Sequence, residues 1–77
     1  MFVKNSKLSY WEKNCERERF QFAEILTDIA IYARAAVISK LASVLVVEYP
    51  KKGKKDLTIK RDVIPIRNIR SIKYYSN

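Results

Sequence analysis

Lys51, Lys52, Lys54 and Lys55 crowd around Gly53, the chain's only glycine. An ammonium group is a mobile point charge. It suits phosphate contact better than base readout, for which arginine and amides have the better geometry. Lys60, Arg61, Arg67, Arg70 and Lys73 continue the positive series toward the C-terminus. Tyr49, Tyr74 and Tyr75 lie among them, and a tyrosine ring can stack on an unpaired base. This pattern predicts binding to a polyanion, with weak sequence preference and steep salt dependence. The plainer reading of the same lysines is a solvated hairpin tip that keeps sheet edges from pairing with other chains.

The charge is uneven. Residues 1–40 hold seven Lys and Arg against five Asp and Glu, and residues 41–77 hold nine against three, for a net charge of +8. A field concentrated in this way attracts nucleic acid, an acidic protein or an anionic membrane. The lysine loop has no apolar residue to insert into lipid, so the membrane ranks last.

Catalytic chemistry finds little support. There is no histidine and one cysteine, Cys15, so neither a zinc site nor a Cys–His or Ser–His pairing can be built. One glycine excludes a phosphate-cradling loop of the P-loop type. Glu12, Glu16, Glu24 and Asp28 have basic neighbours, and solvated ion pairs account for them. The expectation is a non-enzymatic protein with no catalytic residues, cofactor or metal. The lone Cys15 cannot form an internal disulfide, which points to a reducing, cytoplasmic setting. Met1–Ser9 lacks the apolar core of a secretory signal. Glu24, Asp28, Arg34 and Lys40 interrupt the apolar stretch 22–47, so no transmembrane helix is expected.

The elements that would position these residues read as follows. Phe22, Ile25, Leu26, Ile29, Ala33, Ala36 and Val37 recur at helical spacing, and the alanines between them favour helix. The spacing predicts one long amphipathic helix over 20–40, with Ile29 in the core. Ser9 and Glu12 have the spacing of a capping box, so a helix starting at Tyr10 is an alternative. A continuous helix from there to Lys40 would be about 46 Å long, more than a domain of this size can cover. A break near Glu16–Arg19 or a second copy would resolve this. Residues 43–49 are β-branched and apolar and end at Pro50. Residues 57–64 and 69–75 follow as strands, with Gly53 at positive φ in the loop and a corner at 65–68. Arg61 falls on the nominal inner face, which predicts a bulge or partial cover.

The segment V-I-P-I-R-N-I-R-S-I (63–72) resembles the strand–corner–strand of Sm-like barrels, bacterial PH-like domains and WYL domains. The spacing Tyr49…Gly53…Arg61…Pro65 is similar to the opening of a WYL domain. The resemblance implies a sharp turn between two buried strands, and no function is carried over from it.

The reading is therefore a single α+β domain, residues 1–77. One long helix packs on a three-stranded antiparallel β-meander, and residues 1–15 form a flexible or separately helical N-terminal segment. Its function is DNA or RNA binding of low specificity, regulatory or accessory, through Lys51, Lys52, Lys54, Lys55, Lys60, Arg61, Arg67, Arg70, Lys73, Tyr74 and Tyr75. The alternative is a protein interaction module (an adaptor, an inhibitor or a homodimer subunit) docking through the helix. Its interface would be Trp11 with the second apolar strip Phe20, Ile31 and Ile38.

Overall fold

The structure, a computed structural model, describes residues 3–75, with side chains from Leu8 onward. One helix, α1 (Val3–Arg17), precedes five strands: β1 (Gln21–Thr27), β2 (Ile31–Lys40), β3 (Val44–Lys52), β4 (Leu57–Pro65) and β5 (Ile69–Tyr74). The strands form one antiparallel sheet in the order β4-β3-β2-β1-β5. The expected long helix over 20–40 is thus a β-hairpin, and the expected three-stranded meander is a five-stranded sheet. β5 does not pair with β4. It crosses to the far edge and pairs with β1.

That crossing has a geometric consequence. β4 and β5 occupy opposite edges of the sheet, yet a single 3-10 turn, Ile66–Asn68, joins them. So short a link spans the edges only if the sheet curls on itself. The corner is pinned on both sides: the Ile66 N–H donates to the Ser43 carbonyl (3.0 Å), and the Asp28 N–H donates to the Asn68 carbonyl (3.2 Å).

Each face of the curled sheet has its own core. On one face Ala23, Ile25, Ala35, Leu45, Val47 and Ile64 are buried together, with Tyr32, Val37, Tyr49, Ile69 and Ile72 around them. On the other, Trp11 and Cys15 of α1 bury against Phe22 and Ala36, flanked by Leu8, Phe20, Ile38 and Ile59. Neighbours in sequence such as Phe22 and Ala23, or Ala35 and Ala36, therefore belong to opposite cores, as strand alternation requires. The small side chains sit where a helix covers the sheet on one side and the curl closes it on the other.

Helix period and strand period compete over 20–40. Ile25, Thr27, Ile29 and Ile31 are β-branched at every second position, which is a strand signal. Burial on both faces overrides the intrinsic preference of alanine for helix. The turn between β1 and β2 is built by Thr27, whose hydroxyl accepts from the Ile29 (3.3 Å) and Ala30 (3.0 Å) N–H groups. Ile29 stands at its tip, 94% exposed rather than in the core.

α1 begins at Val3 rather than at Tyr10 and ends at Arg17, and the chain beyond it is strand rather than the second half of a bent helix. The Arg19 N–H donates to the Glu16 carbonyl and the Phe20 N–H to the Cys15 carbonyl, both at 3.0 Å, which is a Schellman cap. Arg19 takes the left-handed position usually given to glycine, at φ 66°. Gly53 has no positive φ, contrary to expectation. Its N–H donates to the Asp56 carbonyl at 2.7 Å, and a Cβ there would lie 3.2 Å from that oxygen, so close approach is what favours glycine.

Pro50 does not end its strand. β2 pairs with β3 only as far as Glu48, so from Tyr49 onward β3 is an edge toward β2 and tolerates a residue without an N–H. β4 runs in unbroken register with β3 from Pro65 to Leu57, without the bulge considered at Arg61. Partial cover is the answer there: Ile59 packs beneath α1, while Arg61 and Val63 on the same face are exposed. No helix among the described residues is long and apolar enough to cross a membrane.

Candidate nucleic-acid interface

The basic residues fall on two parts of the sheet that do not pair with each other, the β3–β4 hairpin and β5, with Arg67 in the turn between them. Lys51 and Lys52 end β3, Lys54 and Lys55 form the following loop, and Lys60 and Arg61 lie on β4. Arg67 is exposed in the 3-10 turn, and Arg70 and Lys73 are on β5 beyond β1. β4 and β5 do not pair with each other, so these residues do not lie on hydrogen-bonded neighbouring strands as the sequence reading expects.

Their partners divide them further. Arg61 donates two hydrogen bonds to Glu48 Oε2, at 2.6 and 3.2 Å. Arg70 on β5 is ion-paired to Asp28, in the turn that follows β1. Lys73 stands opposite Glu24 in the β1–β5 ladder. In contrast, none of Lys51, Lys52, Lys54, Lys55 or Lys60 is ion-paired to a described residue. These five share one element, the β3–β4 hairpin, whose outer part is a two-stranded ribbon beyond the reach of β2. A hollow of about 260 Å³ separates its loop, Lys52–Leu57, from Leu8 on α1.

The aromatic candidates fare differently. Tyr75 has its hydroxyl on the Ala33 carbonyl and the Arg34 guanidinium 5.4 Å from its ring centre, so it is engaged in the fold. Tyr74 is 40% exposed on β5, opposite Ala23, on a strand that does not pair with the lysine ribbon. Tyr49 is half-buried in the core of the curl. Its ring meets that of Tyr32 edge to face at 5.0 Å, and both hydroxyls donate to Asp62 Oδ2, at 3.1 Å from Tyr49 and 2.8 Å from Tyr32. Burial, and then the hydrogen bond to Asp62, pushes the Tyr32 hydroxyl up to about 12 and raises that of Tyr49. Sequence reasoning does not single out Tyr32 or Asp62. Their meeting depends on a register slip in β2, which lets Tyr32 and Ala35 face the same side.

The residues expected to form a partner interface do not make a strip on a helix. Trp11 is buried, with its ring edge to face on Phe22 and its N–H donating to Glu48 Oε1 at 3.2 Å. Phe20 and Ile38 pack into the same core under α1, and only Ile31 is exposed, on β2. Cys15 is fully buried. Burial, and then the charges of Glu48 and Glu12, push its thiol up to about 11, so it stays protonated and inert. Among the described residues no group of His, Cys, Asp and Glu is arranged to hold a metal ion. No protein-family model matches the chain, and neither does any curated protein or any solved structure.

Proposed function

We propose that this chain is a small, non-catalytic protein that binds nucleic acid mainly through phosphate contacts, with low sequence specificity, in a regulatory or accessory role. The observation that supports this reading is the β3–β4 ribbon. It gathers Lys51, Lys52, Lys54, Lys55 and Lys60 without a carboxylate paired to any of them among the described residues. Lysines on a ribbon supply charge that can follow a phosphate backbone without fixing a register on the bases. A buried, protonated thiol suits a reducing cytoplasm. The arginines contribute less, since Arg61 and Arg70 already hold carboxylates.

The test is a fluorescence-anisotropy titration of labelled DNA and RNA, single- and double-stranded, at several salt concentrations. Replacing Lys51, Lys52, Lys54 and Lys55 together with Ala should weaken binding. It should also reduce the slope of log affinity against log salt by about three, at roughly 0.7–0.9 for each phosphate no longer neutralised. The melting temperature should barely change, because all four side chains are exposed. An unchanged slope, or a wild-type protein with no salt-dependent binding, would overturn the reading.

A further inference from the structure

β2 and β3 pair only from Ala36 and Glu48 to Lys40 and Leu45. Toward their other ends they part. Residues 31–35 of β2 stay with β1, and residues 49–52 of β3 stay with β4. The parting opens a groove of about 620 Å³ walled by Ile29–Arg34 on one side and Tyr49–Lys52 on the other, with Asp62 in its lining. A smaller hollow of about 250 Å³ continues it past Ile29, Tyr32 and Asp62 to Pro65 and Asn68. The larger space falls within the range of sites that hold small organic groups.

The lining has three chemical parts. Ile29, Ile31 and Pro50 make it apolar, and the two isoleucines are mostly exposed, which leaves apolar surface uncovered at its mouth. Lys51 and Lys52 place positive charge on one wall. Tyr32, Tyr49 and Asp62 supply a polar cluster. Both tyrosine hydroxyls donate to the same oxygen, Oδ2 of Asp62, while Oδ1 accepts no hydrogen bond from a described residue. A carboxylate oxygen accepts hydrogen bonds, and this one is not sealed from solvent, so Oδ1 can exchange water for an N–H or O–H of a ligand. The tyrosines keep their protons at any physiological pH, because burial and the shared carboxylate raise both. They therefore hold the carboxylate in place.

A flat group with apolar faces, an amino group at its edge and a phosphate attached satisfies all three parts. We propose that the groove seats an unpaired base of a single-stranded nucleic acid and favours bases with an exocyclic amine, its flanking phosphates lying on Lys51 and Lys52. Adenine, cytosine and guanine present such an amine. Uracil and thymine offer one ring N–H between two carbonyl oxygens that a carboxylate repels. The proposal rests on the polyanion reading and adds to it a strand type and a base class.

The experiment compares labelled oligo(A), oligo(U), oligo(dA), oligo(dT) and a duplex, using the whole chain. Wild-type protein should prefer the adenine oligomer by about fivefold, what one net hydrogen bond supplies, and should bind the duplex more weakly than either. Asp62→Asn keeps an acceptor for the tyrosines but turns an NH₂ toward the ligand. It should abolish or invert the adenine preference. Loss of a repelling charge alone would strengthen every oligomer equally and leave the ratio unchanged, so an unchanged ratio overturns the proposal. Ile29→Ser removes apolar wall at a fully exposed position and carries the test if Asp62→Asn fails to fold. It should weaken single-strand binding several-fold and leave the duplex unaffected. Equal affinity for all single strands would sink the base seat and leave the charge reading standing. Absence of salt-dependent binding altogether would sink both.

Discussion

The helix-covered face of the sheet and the open end of its hairpins treat charge in opposite ways. Under α1, Arg34 is held by Glu12 at 3.1 Å and lies 4.2 Å from the centre of the Phe22 ring. Glu48 receives both the Trp11 indole N–H and Arg61. Cation, carboxylate and aromatic ring there form one connected set that ties helix to sheet. At the hairpin ends, the lysines have no carboxylate partner among the described residues and the isoleucines have no cover. The lesson is that a count of basic residues, unlike the net charge, overstates the cations available to a ligand, because three of the arginines already hold carboxylates. The paired arginines belong to folding, while the unpaired lysines are free to act on something else.

The largest effect that could break this division comes from two isoleucines four residues apart. On a helix, Ile25 and Ile29 would share a face and a fate. On this hairpin Ile25 is fully buried and Ile29 is 94% exposed. Ile25→Asp places an unpaired charge in the core and should cost several kcal/mol, enough to unfold a domain of this size. Ile29→Asp should stay within about 0.5 kcal/mol of wild type, as exposed substitutions do. Thermal melts followed by circular dichroism decide it. Two equally unfolded variants would return the segment to a helix and remove the groove with it.

A smaller effect sharpens the covered side alone. Arg19 occupies the left-handed cap position of α1, a conformation that costs a residue with a Cβ about 1–2 kcal/mol. Arg19→Gly recovers part of this and loses some to the greater freedom of the unfolded chain. Stability should rise by about 0.5–1 kcal/mol, read from chemical denaturation, with the salt slope of binding unaltered. A destabilised variant would mean that Arg19 makes a contribution the backbone geometry does not reveal.

What the sequence discloses follows from how local each signal is. The strands expected at 43–49, 57–64 and 69–75 correspond to β3, β4 and β5, because β-branched runs mark them locally, although β3 continues through Pro50 to Lys52 and β5 pairs with β1. The helical spacing of Leu8, Trp11 and Cys15 is local too, and it belongs to the real helix. β1 and β2 are ambiguous because Phe22, Ile25, Leu26 and Ile29 fit a helix while Ile25, Thr27, Ile29 and Ile31 fit a strand. What separates the two is whether Ala23, Ala35 and Ala36 are covered from both sides, which is a tertiary fact. The same holds for charge. The lysine cluster is visible in composition, but Arg61 finds Glu48 thirteen positions away and Arg70 finds Asp28 forty-two away. The groove is least visible of all. It exists because two paired strands diverge, and its polar cluster comes from β2, β3 and β4 together.

The smallest effect tests the division between adjacent residues. Lys60 and Arg61 are neighbours on β4, so their side chains lie on opposite faces. Lys60 stands opposite Tyr49, on the face of the curl, and is ion-paired to no described residue. Arg61 stands opposite Glu48, on the helix side, and binds it. Each change to glutamine removes one positive charge, so a protein that merely attracts nucleic acid through its total field would respond to both alike. If individual unpaired lysines meet phosphates, Lys60→Gln should lower the salt slope by about 0.7–0.9 and Arg61→Gln should lower it little. Arg61→Gln should instead cost stability, by no more than about 1 kcal/mol for so exposed a pair. Equal slopes for the two variants would show that net charge, rather than the partnering of each side chain, governs binding.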